Sequence, residues 1–365
     1  MNKNKKIIML ISDLSIGGAQ RVFISLANYL YKKNYEVKIL VQNLENPIYK
    51  KDINKNIEVI SLSVKSTKKM LPKMYDFFKN ESCDMCIPFS PELAVNLYII
   101  RKISHDNFII MGRCINTLSF DYKYAKSFFR KYISRLLVKM FYHRIDCVIA
   151  QSNGMKEDLV KNFSFNDSKV NVINNPLSNQ FEDEIQNTVD GLKKDYDFLY
   201  VGRFEQQKGL KMLIDAFSTL NMNYKLVLVG DGSEKSSLRD YIASKELSDN
   251  IIIEEYSEDI ISIYNRSRVL VLSSYYEGFP NVLIESIACG TPVVSYDMPS
   301  GADEIVEENI NGYLVKYLDV DSLALAMNKA INKKWNNLDI KKTASKYSSD
   351  IILNQYIELI EKLVF

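Results

Sequence analysis

Short runs of aliphatic and β-branched residues alternate with helical segments along nearly the whole chain, and this alternation constrains the fold more than any other feature. The predicted strands of the first half are KKIIMLI, EVKILVQ, IEVISL, DMCIPF, FIIMGR, DCVIAQ and VNVINNP. Those of the second half are DFLYVGRF, YKLVLVGDG, NIIIEEY, VLVLSS, PVVSYD and GYLV. Strands that alternate with helices form parallel sheets between helical layers. The pattern predicts an α/β protein with two Rossmann-like, doubly wound domains facing a cleft.

A polar, acidic stretch at 177–196 divides the two series, and it is predicted to be the interdomain linker. The domains are expected at 1–180 and 190–345, which suits a chain of 365 residues. An amphipathic helix is predicted over 346–365, with packing back onto the first domain as one option. Ligands of such folds bind at the carboxyl ends of the strands.

The two halves carry opposite net charges. Residues 1–180 hold 28 Lys and Arg against 15 Asp and Glu, a net +13, and the remainder holds 19 against 30, a net −11. A basic amphipathic helix is predicted over 126–144. It favours an anionic membrane surface over the alternative of a solvated basic face. No nucleic-acid-binding motif is present in the sequence.

Several features favour the cytoplasm. The apolar run near the N-terminus is about five residues long, shorter than the roughly 7 to 15 of a secretory signal, so it is interpreted as the first strand. No stretch approaches the ~18 apolar residues of a membrane span. Five scattered cysteines indicate reduced thiols, and the Cys83/Cys86 pair lacks the further ligands of a zinc site. We expect a cytoplasmic protein, peripheral on the inner face of the membrane.

Two glutamates stand eight residues apart in LSSYYEGFPNVLIESIACGTPVV. Glu277 and Gly278 lie in a loop after a strand, and Glu285 lies about two turns into the next helix. Gly278 lets the backbone approach a ligand. The helix starts where its N–H groups and dipole favour an anion, in the segment Phe279, Pro280, Asn281 and Val282. The spacing suits binding of sugar and ribose hydroxyls; two solvated glutamates at a helix start are the alternative.

Two further elements point to phosphate. Arg203 and Lys208 follow a strand in YVGRFEQQKGL, where Arg can bind phosphate in a fork and Lys adds a point charge. The alternative is a pair of surface cations. Gly17 and Gly18 lie between the first strand and the first helix in SDLSIGGAQR. By itself this pair indicates only a tight turn near a possible phosphate. The segment is not the GxGxxG pattern of NAD-binding domains, so NAD binding is not expected.

Two Asp-x-Asp patterns, at Asp195/Asp197 and Asp319/Asp321, raise the question of a bound metal. Neither pair follows the carboxyl end of a strand, and Asp is favoured before strands and at helix starts for backbone reasons. No metal and no cofactor are therefore expected.

Taken together, these motifs resemble retaining glycosyltransferase family 4, whose members have the GT-B fold of two Rossmann-like domains. The resemblance covers nearly the whole chain and is strongest over 197–316. It implies that Glu277 contacts the donor sugar and that Glu285 holds the ribose hydroxyls. It also implies that the two cations bind the donor diphosphate and that the glycine pair lies against the donor phosphates.

The sequence departs from the family pattern in its first half. Many members carry a His facing the anomeric carbon, whereas His105 and His143 do not stand in a matching loop. Arg113 and Asn116 occupy the place of a Ser-Glu-Arg-Asn segment in some bacterial members, which makes them candidate acceptor-side residues. An ordinary strand-to-loop pair is the alternative. The base preference stays open, because Glu255 or Tyr256 replaces a glycine often found near the base.

The resemblance implies a function. The chain would move a hexose or N-acetylhexosamine from a nucleotide-diphosphate donor, with UDP expected, to a glycan acceptor linked to a polyprenyl diphosphate. The product would be a surface polysaccharide such as capsule or O-antigen. Glu277, Arg203 and Lys208 would carry the reaction without a metal. The alternatives are a sugar-nucleotide epimerase of the same fold and a non-catalytic nucleotide-binding protein.

Overall fold

The structure is a computed structural model that describes residues 5–15, 17–45, 47–64, 69–186, 193–256, 259–299 and 301–364. The chain divides into two compact units. Unit 1 consists of Met1–Pro176 and Asp350–Phe365, and unit 2 of Leu177–Ser349. The polypeptide therefore crosses between the units twice.

Unit 1 contains a seven-stranded parallel sheet in the order β3-β2-β1-β4-β5-β6-β7. Its strands are β1 (Lys6–Ile11), β2 (Glu36–Val41), β3 (Glu58–Ser61), β4 (Met85–Pro88), β5 (Ile109–Arg113), β6 (Cys147–Ala150) and β7 (Val170–Val172). Its helices are α1 (Gly18–Lys32), α2 (Met70–Asn80), α3 (Pro91–Ser104), α4 (Leu118–Lys123), α5 (Arg135–Phe141), α6 (Asn153–Phe163) and, at the end of the chain, α15 (Ser349–Val364). A π-helix, Phe129–Ser134, leads directly into α5.

Helices cover both faces of this sheet, and β1 shows why. Ile7, Met9 and Ile11 belong to one hydrophobic cluster, and Ile8 and Leu10 belong to another. Successive strand residues point to opposite faces, so an unbroken apolar strand needs a core on each side. Unbroken apolar runs of this kind allow the strands to be predicted from the sequence.

Unit 2 contains a six-stranded parallel sheet in the order β10-β9-β8-β11-β12-β13. Its strands are β8 (Tyr196–Val201), β9 (Leu226–Val229), β10 (Ile251–Glu254), β11 (Ser267–Leu272), β12 (Val293–Tyr296) and β13 (Gly312–Val315). Its helices are α7 (Asn179–Gln186), α8 (Leu210–Ser218), α9 (Lys235–Ser244), α10 (Ile260–Asn265), α11 (Asn281–Ala288), α12 (Ala302–Ile305), α13 (Val320–Asn332) and α14 (Asn337–Ala344). The prediction of two doubly wound α/β domains is confirmed.

The predicted linker at 177–196 is wrong over its first part. Residues 179–186 form α7, and Tyr196 already belongs to β8. Phe181 is fully buried and meets the Tyr264 ring edge-on, with 5.7 Å between the ring centroids. Phe181 and the partly buried Ile185 attach this helix to unit 2, and its mostly polar sequence concealed those contacts.

The C-terminal helix α15 packs on unit 1. Its buried side chains Ile352, Leu353, Tyr356 and Ile360 share a core with residues of β1. This confirms the predicted amphipathic helix. Among the described residues, no helix is both long enough and apolar enough to cross a bilayer.

Candidate functional site

The order of the second sheet identifies where a ligand would bind in unit 2. From β8 the chain adds β9 and β10 on one side of the sheet, and from β11 it adds β12 and β13 on the other side. The helical connections therefore diverge between the neighbouring strands β8 and β11. Ligands of doubly wound sheets bind outside the carboxyl ends of the strands at such a switch point. The loops that leave β8 and β11 there contain Arg203, Lys208 and Glu277.

Backbone and side-chain contacts join these two loops closely. Gly209 adopts a φ of 61°, and a Cβ atom there would lie 2.3 Å from the carbonyl oxygen of Ser273. Only glycine allows that approach. The Tyr275 amide donates to the Gln207 carbonyl (2.8 Å), and the Gln207 Nε2 donates to the Tyr276 carbonyl (2.8 Å). Gln207 thus connects the loops from both its backbone and its side chain.

The Lys208 ammonium and the Glu277 carboxylate form an ion pair between the loops. Nζ of Lys208 lies 2.6 Å from Oε1 of Glu277, and the Ser274 hydroxyl donates to the same oxygen at 2.7 Å. Glu277 is only 8% exposed. A charged hydrogen bond in such a shielded place is stronger than one in water. Two residues that the sequence proposed separately are therefore in direct contact.

Arg203 is exposed in the loop after β8, which also carries Lys208. Among the residues that the structure describes, its guanidinium makes no ion pair. Its backbone carbonyl accepts a hydrogen bond from the Tyr200 hydroxyl at 3.1 Å. Burial raises the pKa of Tyr200, and the negative charge of Glu277 raises it further. Tyr200 is therefore neutral and serves as a fixed donor beneath the loop.

The start of α11 lies beside this pair. Pro280 is the N-cap residue and Asn281 the first residue of the helix, and the Pro280 side chain makes no capping hydrogen bond. Phe279 is buried and meets the Tyr347 ring edge-on, 5.4 Å between centroids. Gly278 is buried, and Val282 is partly buried against the core of unit 2. The helix N-terminus is thus held in place next to Glu277, where its dipole favours an anion.

Glu285 lies in the second turn of α11 and has a different partner. It is 6% exposed, and its Oε2 accepts a hydrogen bond from the Tyr264 hydroxyl at 3.0 Å. The two glutamates of the motif are thus positioned separately, Glu277 by a cation and a hydroxyl and Glu285 by a tyrosine.

The glycine pair lies at the equivalent place in unit 1, where the strand order reverses between β1 and β4. Gly17 is the N-cap residue of α1 and Gly18 its first residue, and Gly17 has no side chain with which to cap the helix. Asp13 orders the preceding loop by accepting from the Ser15 amide (3.0 Å) and from Gln20 Nε2 (3.1 Å). Burial acts to raise the pKa of Asp13, but hydrogen bonds from the Ser15 hydroxyl and amide, Gln20 and Ser12 outweigh it and lower the pKa.

Arg113 does not lie on an accessible surface, although the sequence proposed it for the acceptor side. It ends β5 and is wholly buried. Its Nε donates to the Tyr356 hydroxyl at 2.9 Å, its Nη2 donates to Asn175, and its guanidinium stacks on the Phe89 ring. A side chain without exposed area cannot touch an acceptor in this conformation. The contacts make it an anchor for α15.

Asn116 lies three residues further on, in the loop between β5 and α4, and is half-buried. Its backbone carbonyl accepts a hydrogen bond from Cys114 Sγ at 3.1 Å. It remains a candidate for the acceptor side.

The Asp-x-Asp patterns have structural partners. Asp195 pairs with Arg266 at 2.6 Å and Asp197 with Arg268 at 3.0 Å. Asp319 caps α13 by accepting from the Ser322 amide. No group of three or more metal-ligating side chains occurs within the described residues.

The sequence missed three residues of this site, Gln207, Ser274 and Tyr200. Gln207 bonds to a residue 69 positions away, whereas Ser274 and Tyr200 bond to residues three positions further along the chain. Only their place in loops after β8 and β11, or at the end of β8 itself, could have suggested them.

Two family models match the chain. Residues 16–180 match "Glycosyltransferase Family 4", and residues 181–347 match "Glycosyl transferases group 1". Together the two matches cover both units.

Two relatives align with nearly the full length of this chain. A 4-alpha-N-acetylgalactosaminyltransferase of Campylobacter jejuni, named for N-acetylgalactosamine-N,N'-diacetylbacillosaminyl-diphospho-undecaprenol, is 27% identical over 87% of this chain and 88% of its own. The amylovoran biosynthesis glycosyltransferase AmsD of Erwinia amylovora is 27% identical over 97% and 99%. Among solved structures, Anabaena HepE in complex with UDP superposes with a TM-score of 0.78 at 19% identity, covering 98% of this chain and 100% of that one.

Proposed function

The chain belongs to glycosyltransferase family 4, and from this membership we propose that it is a retaining enzyme that moves a sugar from a nucleotide-diphosphate donor to a lipid-linked glycan. The observation that carries the proposal is the contact between Lys208 and Glu277 at the switch point of unit 2. One cation and one carboxylate there could serve the two parts of such a donor, its diphosphate and its sugar.

The proposed reaction breaks the bond between the anomeric carbon and the β-phosphate oxygen and forms one between that carbon and an acceptor hydroxyl oxygen, whose proton passes to the departing phosphate or to solvent. Negative charge grows on that phosphate as the bond breaks. Arg203, Lys208 and the N-terminus of α11 would stabilise it more strongly in the transition state than in the bound donor. These groups would fulfil the role that a metal has in other transferases, so we propose a metal-independent reaction.

Glu277 would orient the donor sugar through hydrogen bonds to its hydroxyls. The Ser274 hydroxyl fixes its carboxylate, and Gln207 fixes the loop that carries Lys208. Accurate orientation of this kind lowers the entropic part of the barrier. Glu285 would bind the ribose hydroxyls.

The donor is proposed to be a UDP-sugar carrying a hexose or an N-acetylhexosamine. The complex of Anabaena HepE with UDP supports this, since that protein shares the fold over its full length. The name of the Campylobacter relative supports transfer of an N-acetylhexosamine.

The acceptor is proposed to be a glycan on a polyprenyl diphosphate, used for a surface polysaccharide. The same relative carries diphospho-undecaprenol in its name, and the Erwinia relative is named for amylovoran biosynthesis. We place the enzyme at the cytoplasmic face of an anionic membrane, in keeping with its five free cysteines and with the net +13 of residues 1–180.

A titration of the purified protein with UDP-, GDP- and ADP-sugars tests the proposal, in a buffer containing a metal chelator. Thermal shift reports binding, and nucleotide release is measured with and without a polyprenyl-diphosphate glycan. We expect one donor to bind and to release its nucleotide only when the acceptor is present. Conversion of the donor without acceptor would instead indicate an epimerase, and binding without turnover on any acceptor a non-catalytic protein.

Two substitutions test the site in the same assay. Lys208→Ala and Glu285→Gln should each weaken donor binding and lower the rate at least about tenfold, as expected for the loss of one charged hydrogen bond. Full activity of both variants would contradict the assignment of the site. Lys161→Ala, on the exposed face of α6, is the control.

A further inference from the structure

The segment from Phe128 to Met140 is a helix that buries few of its side chains. Phe128 directly precedes the π-helix, which continues into α5, and within 129–141 only Ser134 and Val138 are buried. These two residues are four apart and therefore lie on one line along the helix. The segment rests on unit 1 through a narrow strip, and most of its circumference faces solvent.

The face opposite the buried line is apolar and exposed. Residues at four-residue spacing form an apolar row whose members are 47% to 72% exposed, namely Phe128, Tyr132, Leu136 and Met140. A second apolar row flanks it, with members 37% to 41% exposed, namely Phe129, Ile133 and Leu137. Scattered exposed apolar residues are normal, whereas a contiguous patch marks a binding surface.

The other flank of the apolar row is positively charged. Lys131, Arg135 and Lys139 share the four-residue spacing and form a basic row. Within the described part of the chain, none of the three makes an ion pair with a carboxylate. Long cationic side chains beside an apolar face can reach phosphate headgroups while their stems stay in apolar surroundings.

Contacts to neighbouring helices hold the segment in place. Glu92 of α3 accepts hydrogen bonds from the Ser134 hydroxyl (3.2 Å) and from the Tyr122 hydroxyl (3.1 Å). Arg130 pairs with Asp121 of α4 at 2.7 Å. The exposed rows are therefore presented by an anchored helix, so little ordering is required when a partner binds.

We propose that this surface inserts into the headgroup and upper acyl region of an anionic lipid bilayer, with the apolar row facing the acyl chains and the basic row contacting lipid phosphates. The apolar row matches the acyl region of such a bilayer, and the basic row matches its anionic headgroups. The inference rests on the proposed lipid-linked acceptor, and it identifies how unit 1 meets the membrane that holds it. The proposed function placed unit 1 at the membrane by its net charge alone, whereas this inference adds the insertion of apolar side chains.

Flotation of the full-length protein with vesicles tests the proposal. Vesicles of phosphatidylcholine alone and of phosphatidylcholine mixed with phosphatidylglycerol are used, without donor or acceptor. We expect the protein to float with the anionic vesicles, and Phe128→Ser/Leu136→Ser to lower its partitioning about tenfold, since each large side chain contributes through the apolar area it buries. Neither change alters the net charge. Leu325→Ser/Leu338→Ser removes two apolar side chains of unit 2 that are 71% and 58% exposed, and should float like the wild type.

A second variant tests the basic row. Lys131→Gln/Arg135→Gln/Lys139→Gln should abolish the preference for anionic vesicles, and added salt should weaken binding of the wild type more than that of this variant. An unchanged preference would overturn the role of the basic row.

Two results would overturn insertion. These are a wild type that does not float and equal flotation of the apolar-row variant. Equal flotation together with a wild-type dimer that dissociates on Phe128→Ser/Leu136→Ser would assign the surface to a second copy of the chain. Transfer to a short-chain, water-soluble acceptor analogue is measured in parallel, and the apolar-row variant should retain it. Failure of the membrane inference is thus separable from failure of the proposed transfer reaction.

Discussion

At the residue scale, the contact between Lys208 and Glu277 is the feature with the clearest energetic consequence. The pair is shielded from solvent, so removal of the cation leaves a carboxylate without its counter-ion in a poorly hydrated place. Removal of Lys208 is therefore expected to destabilise the fold as well as to weaken the proposed binding of the donor.

We predict that Lys208→Ala lowers the free energy of unfolding by about 1–3 kcal/mol. Adding Glu277→Gln should restore part of that loss, because the uncompensated charge is then removed. Urea denaturation of both single variants and of the double variant gives the coupling energy. The exposed pair Lys161–Glu157 is the control, and its double-mutant cycle should give a coupling energy of less than about 0.5 kcal/mol. Additive effects at Lys208 and Glu277 would contradict the contact.

The cysteines provide a second prediction at this scale. Burial raises the pKa of Cys147 to about 12, and it also raises the pKa values of Cys86, Cys114 and Cys289. Alkylation requires the thiolate, whose share falls about tenfold for each pH unit below the pKa. Iodoacetamide at pH 8 should therefore label the partly exposed Cys83 first, which mass spectrometry of the native protein can detect. Equal labelling of Cys147 would show that its burial is wrong.

At the element scale, α15 depends on a hydrogen bond that spans 243 residues. Nε of the buried Arg113 donates to the Tyr356 hydroxyl of this helix at 2.9 Å. Arg113 could be located from the sequence at the end of a strand, whereas its partner could not. Local pattern carries no information on which distant helix covers a given strand.

We predict that Tyr356→Phe destabilises unit 1 by about 1–2 kcal/mol, because a charged donor loses its acceptor. Amide hydrogen exchange in 350–364 should become faster. Tyr347→Phe deletes a hydroxyl that donates to the Glu304 carbonyl within unit 2, and it should leave exchange in α15 unchanged. Unaltered exchange in the Tyr356 variant would contradict the anchoring role of Arg113.

At the scale of the whole molecule, the two units differ in how the chain builds them. Unit 2 is one continuous segment, whereas unit 1 needs a helix from the far end of the chain. Ile352, Leu353, Tyr356 and Ile360 of that helix complete the core around β1. A fragment that ends at Pro176 would expose this part of the core to water.

We predict that the fragment 177–349 unfolds cooperatively by itself and that the fragment 1–176 does not. Adding a peptide of residues 350–365 should restore a cooperative transition to the fragment 1–176, since burial of the four apolar side chains favours association. Circular dichroism during heating measures both. A peptide in which Tyr356 and Ile360 are replaced by Ser is the control and should restore nothing. Cooperative unfolding of 1–176 alone would contradict this account.

The sequence alone determined the strands, the two α/β units and the positions of the charged motifs. Buried parallel strands need unbroken apolar runs, and helix starts need particular residues, so these signals are local. Only the tertiary structure decided which motifs meet. Lys208 and Glu277 are 69 residues apart, and they touch because β8 and β11 are neighbours in the sheet. The same dependence on strand order and packing buried Arg113 and joined α7 to unit 2, where a linker had been expected.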